Sequence, residues 1–296
     1  MELSFLQYNI VYNLFSLTIA VMFAAGVYFL ATSGRIAERY RPAMYVSALI
    51  VFVAGYHYLR IFQSWEAAFE LSGAAEGMGR SGTYTAADDH VFNEAYRYAD
   101  WLLTVPLLIV ELYIVTKARD VAKSARSSMT LLILATIGML ATGYIGETYT
   151  SEALGMRALW GTISSVFFAY IVFKLYSDVS SAQDYLPGKA SILAGNTKLL
   201  LLLTWGFYPI VYCLPFLGLT GASTEVAVQS GYTFADMSAK AGYGLLIHHI
   251  ARERTIHEGG VVSGAAAAGT SSATSEGRSR STGTTTADGG TSSATS

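Results

Sequence analysis

Tyr96-Arg97-Tyr98-Ala99-Asp100-Trp101-Leu102-Leu103-Thr104-Val105-Pro106-Leu107-Leu108-Ile109-Val110-Glu111 is the stretch on which the fold turns. It is apolar enough to enter a bilayer, yet it carries an arginine and two carboxyls. Wound as an α-helix at about 100° per residue, Thr104 falls about 40° around from Asp100, Glu111 about 20° and Arg97 about 60°. All four line one face. Asp100 and Glu111 are roughly 16 Å apart along the axis, so one carboxyl belongs to the outer half of a membrane and the other to the inner half. A charge near the bilayer midplane costs about 2.5–3.5 kcal/mol on insertion scales, and each therefore needs a partner or a task. A lone carboxylate would read as an ion pair with Arg97. Two carboxyls stacked across the membrane on one face read as a proton path.

The same reading extends outward along the chain. A spanning helix needs roughly 20 mostly apolar residues, and seven segments qualify: about 5–32, 42–69, 93–117, 126–147, 154–178, 196–218 and 225–251. The fold class is an all-α membrane protein, a seven-transmembrane-helix bundle. Pro106 and Pro209 fall inside the third and sixth spans, where bundle neighbours can satisfy the freed carbonyls. Connections are short except for 70–92, rich in Gly, Ala, Ser and Asp. Residues 1–258 form the membrane domain. Residues 259–296, built from Gly, Ser, Thr and Ala with scattered charges, lack the apolar surface to offset ordering entropy and read as a disordered cytoplasmic tail.

Composition agrees. The chain is 52% hydrophobic and 14% charged, against roughly a quarter charged in a soluble domain. Its net charge of −2 leaves no basic stripe for nucleic acid. A single cysteine, Cys213, excludes a disulfide within the chain and offers no zinc cluster, so no metal site is expected. Met1-Glu2-Leu3 leads into the first apolar stretch without a basic n-region or cleavage site, so 5–32 reads as a span and not a signal peptide. Twelve basic residues, among them Arg35, Arg39, Arg41, Lys117, Lys174, Lys189, Lys198, Arg252 and Arg254, gather on one side, against Arg80 and Arg157 on the other. The positive-inside rule then puts the N-terminus outside and the tail in the cytoplasm.

The seventh span reads Tyr232-Thr233-Phe234-Ala235-Asp236-Met237-Ser238-Ala239-Lys240-Ala241-Gly242-Tyr243-Gly244. Asp236 and Lys240 lie one turn apart on a shared face, and Lys240 is too deep to snorkel comfortably. It is either half of a buried ion pair or a lysine made nucleophilic by desolvation, able to form a Schiff base with an aldehyde. Position alone leaves both open.

The run Arg97 to Leu108, together with Asp236-Met237-Ser238-Ala239-Lys240 and Trp205-Gly206-Phe207-Tyr208-Pro209, resembles the microbial rhodopsins, and the likeness covers all seven spans in order. Within that family the chain is most similar to the proteorhodopsin- and xanthorhodopsin-like proton pumps. Asn9, Tyr12, Asn13, Phe15 and Ser16 fit the xanthorhodopsin branch, as does the run Ala54 to Trp65.

The resemblance implies a role for each matched residue. Lys240 would carry all-trans retinal as a protonated Schiff base. Asp100 would be counterion and primary proton acceptor, Asp236 the second counterion, with Arg97 nearby and Thr104 on the same face. Glu111 would reprotonate the Schiff base from the cytoplasmic side. Trp101, Met139, Gly143, Phe168, Trp205 and Tyr208 would line the retinal pocket, and Leu108 sits where leucine accompanies green absorption. His57 matches a histidine that pairs with the acceptor aspartate. Gly161, after Trp160, fits the position where a missing aromatic lets a carotenoid antenna, such as a hydroxylated xanthophyll, approach the retinal ring. The physics is compatible, since a cation in a low-dielectric pocket needs an anion beside it.

Two departures stand out: Ile145 where relatives carry proline, and Val228 at one of the outer glutamate positions used for early proton release, which argues against early release here. The implied activity is a light-driven outward proton pump and not an enzyme. It would sit as a multi-pass homo-oligomer in the lipid bilayer of a prokaryotic plasma membrane, without an obligatory protein partner. The alternative is a sensory rhodopsin signalling through a membrane transducer, which would not need Glu111. Chloride pumps lack the acceptor carboxylate, and sodium pumps use a different pattern on the third span.

Overall fold

The computed structural model describes residues 1–72, 82–116, 122–149 and 153–259. The expected tail from 260 onward, and Arg80, Lys117 and Arg119, lie outside the described residues. Seven helical rods make the bundle: α1 (Phe5–Ser33), α2 (Arg41–Ala68), α3 (Ala95–Thr116), α4 (Ala122–Glu147), α5 (Leu154–Gln183), α6 (Gly188–Cys213), and a seventh in two pieces, α7 (Ala222–Met237) and α8 (Tyr243–His257). Among the described residues, six are long and apolar enough to cross a membrane as they stand. The seventh is divided by a π-helical turn, Ser238–Gly242, with Lys240 at its centre. Such wide turns cluster at functional sites, because they release backbone groups and re-aim side chains.

Local chemistry sets the ends. Ser4 caps α1 reciprocally with Gln7: Gln7 N–H donates to Ser4 Oγ at 3.2 Å and Ser4 N–H to Gln7 Oε1 at 2.9 Å. Pro42 stands in the first turn of α2, where its missing N–H costs nothing. Pro106 and Pro209 are inside α3 and α6 as expected. Helix α6 starts at Gly188, earlier than the expected 196. Its glycine- and serine-rich first turns look like loop, but Ala190 and Ala194 are fully buried, and Ser191 exchanges hydrogen bonds with Gln183 at the end of α5.

The outer connection expected as an irregular loop is partly a sheet. Strands β1 (Glu2–Ser4), β2 (Phe69–Ser72) and β3 (Thr83–Ala86) run antiparallel in the order β1-β3-β2, with Leu3 and Leu71 both opposite Tyr84. Tyr84 stacks on Tyr8 of α1 with centroids 3.7 Å apart, and Tyr8 stacks on Trp65 of α2.

The bundle's interior is mostly apolar but holds a few buried charges, and its outer face is apolar. Phe173 is 73% exposed and Leu203 68%, whereas Arg97, Asp100, Asp236 and Lys240 are at most 2% exposed. Buried charges at this depth persist only with partners, and those partners define the site.

Candidate functional site: a lysine between two carboxylates

The π turn aims Lys240 Nζ between α3 and α7. It lies 2.9 Å from Asp100 Oδ2 and 2.7 Å from Asp236 Oδ1. The two carboxylates are not equivalent. Asp236 accepts from Tyr208 OH at 2.7 Å and Trp101 Nε1 at 3.2 Å on Oδ1, and from Tyr58 OH at 2.8 Å on Oδ2. Among the described residues the Asp100 carboxylate has Lys240 alone, and its Oδ1 is buried without a hydrogen-bond partner. Four donors, Lys240 among them, occupy the Asp236 carboxylate. Asp100 keeps acceptor capacity open.

The neighbours expected around Asp100 sit differently from the simple picture. Thr104 Oγ1 donates to the backbone carbonyl of Asp100 at 2.9 Å, not to its carboxylate. His57 Nδ1 is 3.8 Å from Asp100 Oδ1, too long for a hydrogen bond, and sits 2.9 Å from Val53 O. The expected pairing is therefore proximity without a bond. Arg97 does not pair with Asp100. Its Nε donates to Glu94 at 3.0 Å, Nη1 to Tyr58 OH at 3.3 Å and Nη2 to Gln229, and the guanidinium lies over the Tyr232 ring at 4.8 Å.

From Arg97 the polar contacts continue to the outer rim. Gln229 donates to Glu94 and, at 2.9 Å, to Glu225. On the other side of Lys240 the buried side chains are mostly apolar, Leu108, Ile109, Leu112, Tyr243 and Ile247 among them. Glu111 is fully buried, with Ser47 Oγ donating to Oε2 and Oε1 unpartnered among the described residues. Leu108 and Tyr243 fill the gap between Glu111 and Lys240, with Tyr243 OH donating to Leu108 O at 2.9 Å.

A cavity of about 470 Å³ ends at Lys240. Trp101, Met139, Gly143, Phe168, Trp205 and Tyr208, expected from the sequence as pocket residues, line it, as do Leu108, expected for its part in colour, and Gly161, expected at the antenna position. Its walls are mostly aromatic and aliphatic, with the hydroxyls of Thr162, Ser164 and Ser165 along them and the Lys240 amine beside Asp236 at the end, which suits a long, largely apolar carbonyl compound. Gly143 faces Ser164 Oγ and the Tyr98 ring. The notch at Gly161 is not vacant. A Cβ there would strike the Tyr212 ring, and one at Gly146 would strike the Tyr212 hydroxyl. A polyene arriving at Gly161 would therefore meet Tyr212 and not bare glycine. Sequence reasoning did not assign Tyr58, Ser47, Gln229, Glu94 or Tyr212. Tyr58 lay within a quoted run, but nothing in that run points to Asp236 on another helix.

Seven membrane helices around a cavity that ends at an aspartate-flanked lysine define the microbial rhodopsin class. The chain belongs to the bacteriorhodopsin-like protein family, whose sequence model matches residues 10–254. It is 28% identical over 240 residues to a green-light absorbing proteorhodopsin of Gamma-proteobacterium EBAC31A08, covering 80% of this chain and 84% of that one. Among solved structures, xanthorhodopsin, described as a light-driven ion pump with dual chromophore, is 42% identical with a TM-score of 0.79, over 88% of this chain and 99% of that one. A thermophilic rhodopsin is 45% identical with a TM-score of 0.79, over 87% and 98%. The chain is a multi-pass protein of a prokaryotic plasma membrane.

Proposed function

We propose that the chain is a light-driven outward proton pump with all-trans retinal on Lys240. The observation that carries the reading is the ladder of ionisable groups. Lys240 Nζ lies within hydrogen-bond reach of Asp100 and Asp236, with a separate carboxyl, Glu111, buried on the inner side. Retinal, when bound there, supplies light absorption and an isomerisation that re-aims the proton on the lysine nitrogen. The protein's part is to receive that proton, release it outward and replace it from the other side.

Asp100 is the better acceptor because its Oδ1 is free, whereas Asp236 is saturated by Tyr58, Trp101, Tyr208 and Lys240. The hydrogen bonds that run outward through Tyr58, Arg97 and Gln229 to Glu94 and Glu225 begin at Asp236, which shares Lys240 with Asp100. Glu111 then returns a proton to Lys240 Nζ across the Leu108–Tyr243 layer. Among the described residues, the hydrogen bond in that layer is internal to it, from Tyr243 OH to Leu108 O. His57, seated beside Asp100, limits where its carboxylate can turn. A photosensor needs no inner carboxyl, so Glu111 favours transport over signalling.

A carotenoid antenna of the hydroxylated xanthophyll type is the second part of the reading. The likeness to a dual-chromophore pump and the glycine at 161 support it, with the polyene packed on Tyr212. For the pump itself, the test is to illuminate retinal-supplied cells expressing the chain while recording external pH. Light should acidify the medium, and a protonophore should abolish the signal. Alkalinisation, or no change, would refute the reading. For the antenna, an action spectrum after incubation with hydroxylated carotenoid should gain structured blue bands.

A further inference from the structure

The cavity that ends at Lys240 has a second end. Past Phe168 and Gly161 it runs between α5 and α6 to Ala158, Thr162, Ser165, Cys213 and Phe216, all exposed on the outer surface of the bundle, where the surrounding medium is lipid. Toward the two aqueous sides the described residues close it. Tyr98 is tied to Glu147 and Arg97 to Glu94 and Gln229 on one side, and Tyr243 is tied to Leu108 on the other. The rim between α5 and α6 is effectively apolar despite its hydroxyls. Thr162 Oγ1 donates to Ala158 O at 2.8 Å and Ser165 Oγ to Gly161 O at 2.7 Å, so neither needs water.

Tyr212 stands in this opening, its ring in the slot formed by Gly146 of α4 and Gly161 of α5. What holds it is Arg157. The Tyr212 hydroxyl donates to Arg157 O at 2.7 Å, and the guanidinium lies 4.4 Å from the ring centroid while donating back to Tyr212 O. Arg157 is itself anchored, donating to the carbonyls of Glu147 and Tyr149. The side chain is thus latched through one hydroxyl bond on an anchored residue, and the slot beneath it has no Cβ to wedge it.

We propose that the α5–α6 opening is the port through which the chromophore reaches its pocket from the bilayer, with Tyr212 as its gate and Arg157 as the latch. This rests on the reading that Lys240 binds retinal. A long polyene with one aldehyde partitions into lipid, and a wall of rings, glycines and internally satisfied hydroxyls admits it without stripping water from any polar group. The port leads to the amine at the far end of the cavity, so an aldehyde-first molecule arrives with its reactive end toward Lys240.

The test is the rate of pigment formation. Chain expressed without retinal is placed in lipid nanodiscs and mixed with all-trans retinal, and the rate constant of the visible band is read separately from its final amplitude. Tyr212→Phe keeps the ring and removes the latch, and should speed uptake roughly two- to tenfold, the weight of one hydrogen bond. Thr162→Trp puts bulk on the rim and should slow it. A measurement that needs no variant uses Cys213, the single cysteine, which is exposed at the mouth: a bulky membrane-permeant maleimide attached to the folded apoprotein should also slow uptake. Phe173→Ala, at a lipid-facing site outside the cavity lining, should match wild type. If Tyr212→Phe and the labelled protein both colour at the wild-type rate, the port is overturned while the reading of Lys240 stands. If the unmodified protein never colours, that reading falls and the port falls with it.

Discussion

Between Lys240 and the outer rim, Tyr58, Arg97, Gln229, Glu94 and Glu225 hand hydrogen bonds from one to the next. Between Lys240 and the inner rim, Glu111 holds a single one, from Ser47. The same helices supply both halves, and α3 alone gives Arg97 and Asp100 to one and Glu111 to the other. The difference teaches how a symmetric-looking rod becomes directional. A connected polar half conducts in either sense, so it cannot set direction. A mostly apolar half with one buried carboxyl would conduct only when that carboxyl is brought to the lysine. On the pump reading proposed above, direction would reside on the inner side, and capacity to release on the outer.

The contrast has Lys240 as its hinge, and the largest effect comes from removing it. Lys240→Ala should form no visible pigment with retinal. A hydroxylamine-sensitive pigment in that variant would dissolve the division, because the two halves would have no common centre. Next, Asp100→Asn takes the open acceptor from the outer half. Proton flux should fall at least about a hundredfold, the usual scale for a lost acid–base group, while Asp236 keeps its donors. Light-driven acidification at the wild-type rate would mean that Asp236 accepts despite being saturated.

Glu111→Gln tests the inner half. Colour should barely change, since the residue is roughly 16 Å from Asp100 along α3. Reprotonation should slow by about a hundredfold, and external azide, a small proton carrier, should restore part of the rate. Flash photolysis with wild-type recovery would show that the inner half has another donor. Gln229→Leu should have the smallest effect. It removes the amide that joins Glu94 and Glu225, and proton appearance outside should slow roughly threefold without stopping, measured with a surface-bound pH dye. A complete stop would make the outer half a single file and not a network.

Much of this was legible in the sequence because a bilayer penalises charge so heavily. Arg97, Asp100, Glu111, Asp236 and Lys240 stood out within apolar runs, and helical periodicity alone put the first three on one face. The unequal footing of Asp100 and Asp236 was not legible, since Tyr58, Trp101 and Tyr208 reach Asp236 from three helices other than its own and converge only in the bundle. The π turn at Ser238–Gly242 carries no composition signal that separates it from ordinary helix. The strands at Glu2–Ser4, Phe69–Ser72 and Thr83–Ala86 are too short for alternation to register. Gly161 was legible as a small residue near the pocket. That Tyr212 fills the space beside it required knowing how α5 and α6 pack.

The small outer sheet has a mechanical consequence. Leu3 is fully buried, β1 is bonded into β3, and Tyr84 of β3 is stacked on Tyr8 of α1. The first residues of the chain are therefore riveted to the hairpin that follows α2. A force applied at Met1 has to peel β1 from the sheet and part the Tyr8–Tyr84 stack before α1 can be drawn out of the membrane. A force applied beyond His257 meets the end of α8, where Ala37 N–H donates to Thr255 Oγ1 and Tyr40 OH to Glu258, a fastening of side-chain bonds without a strand. The two ends should give way at different loads, and a fusion partner attached directly at Met1 would have to share its first residues with that rivet.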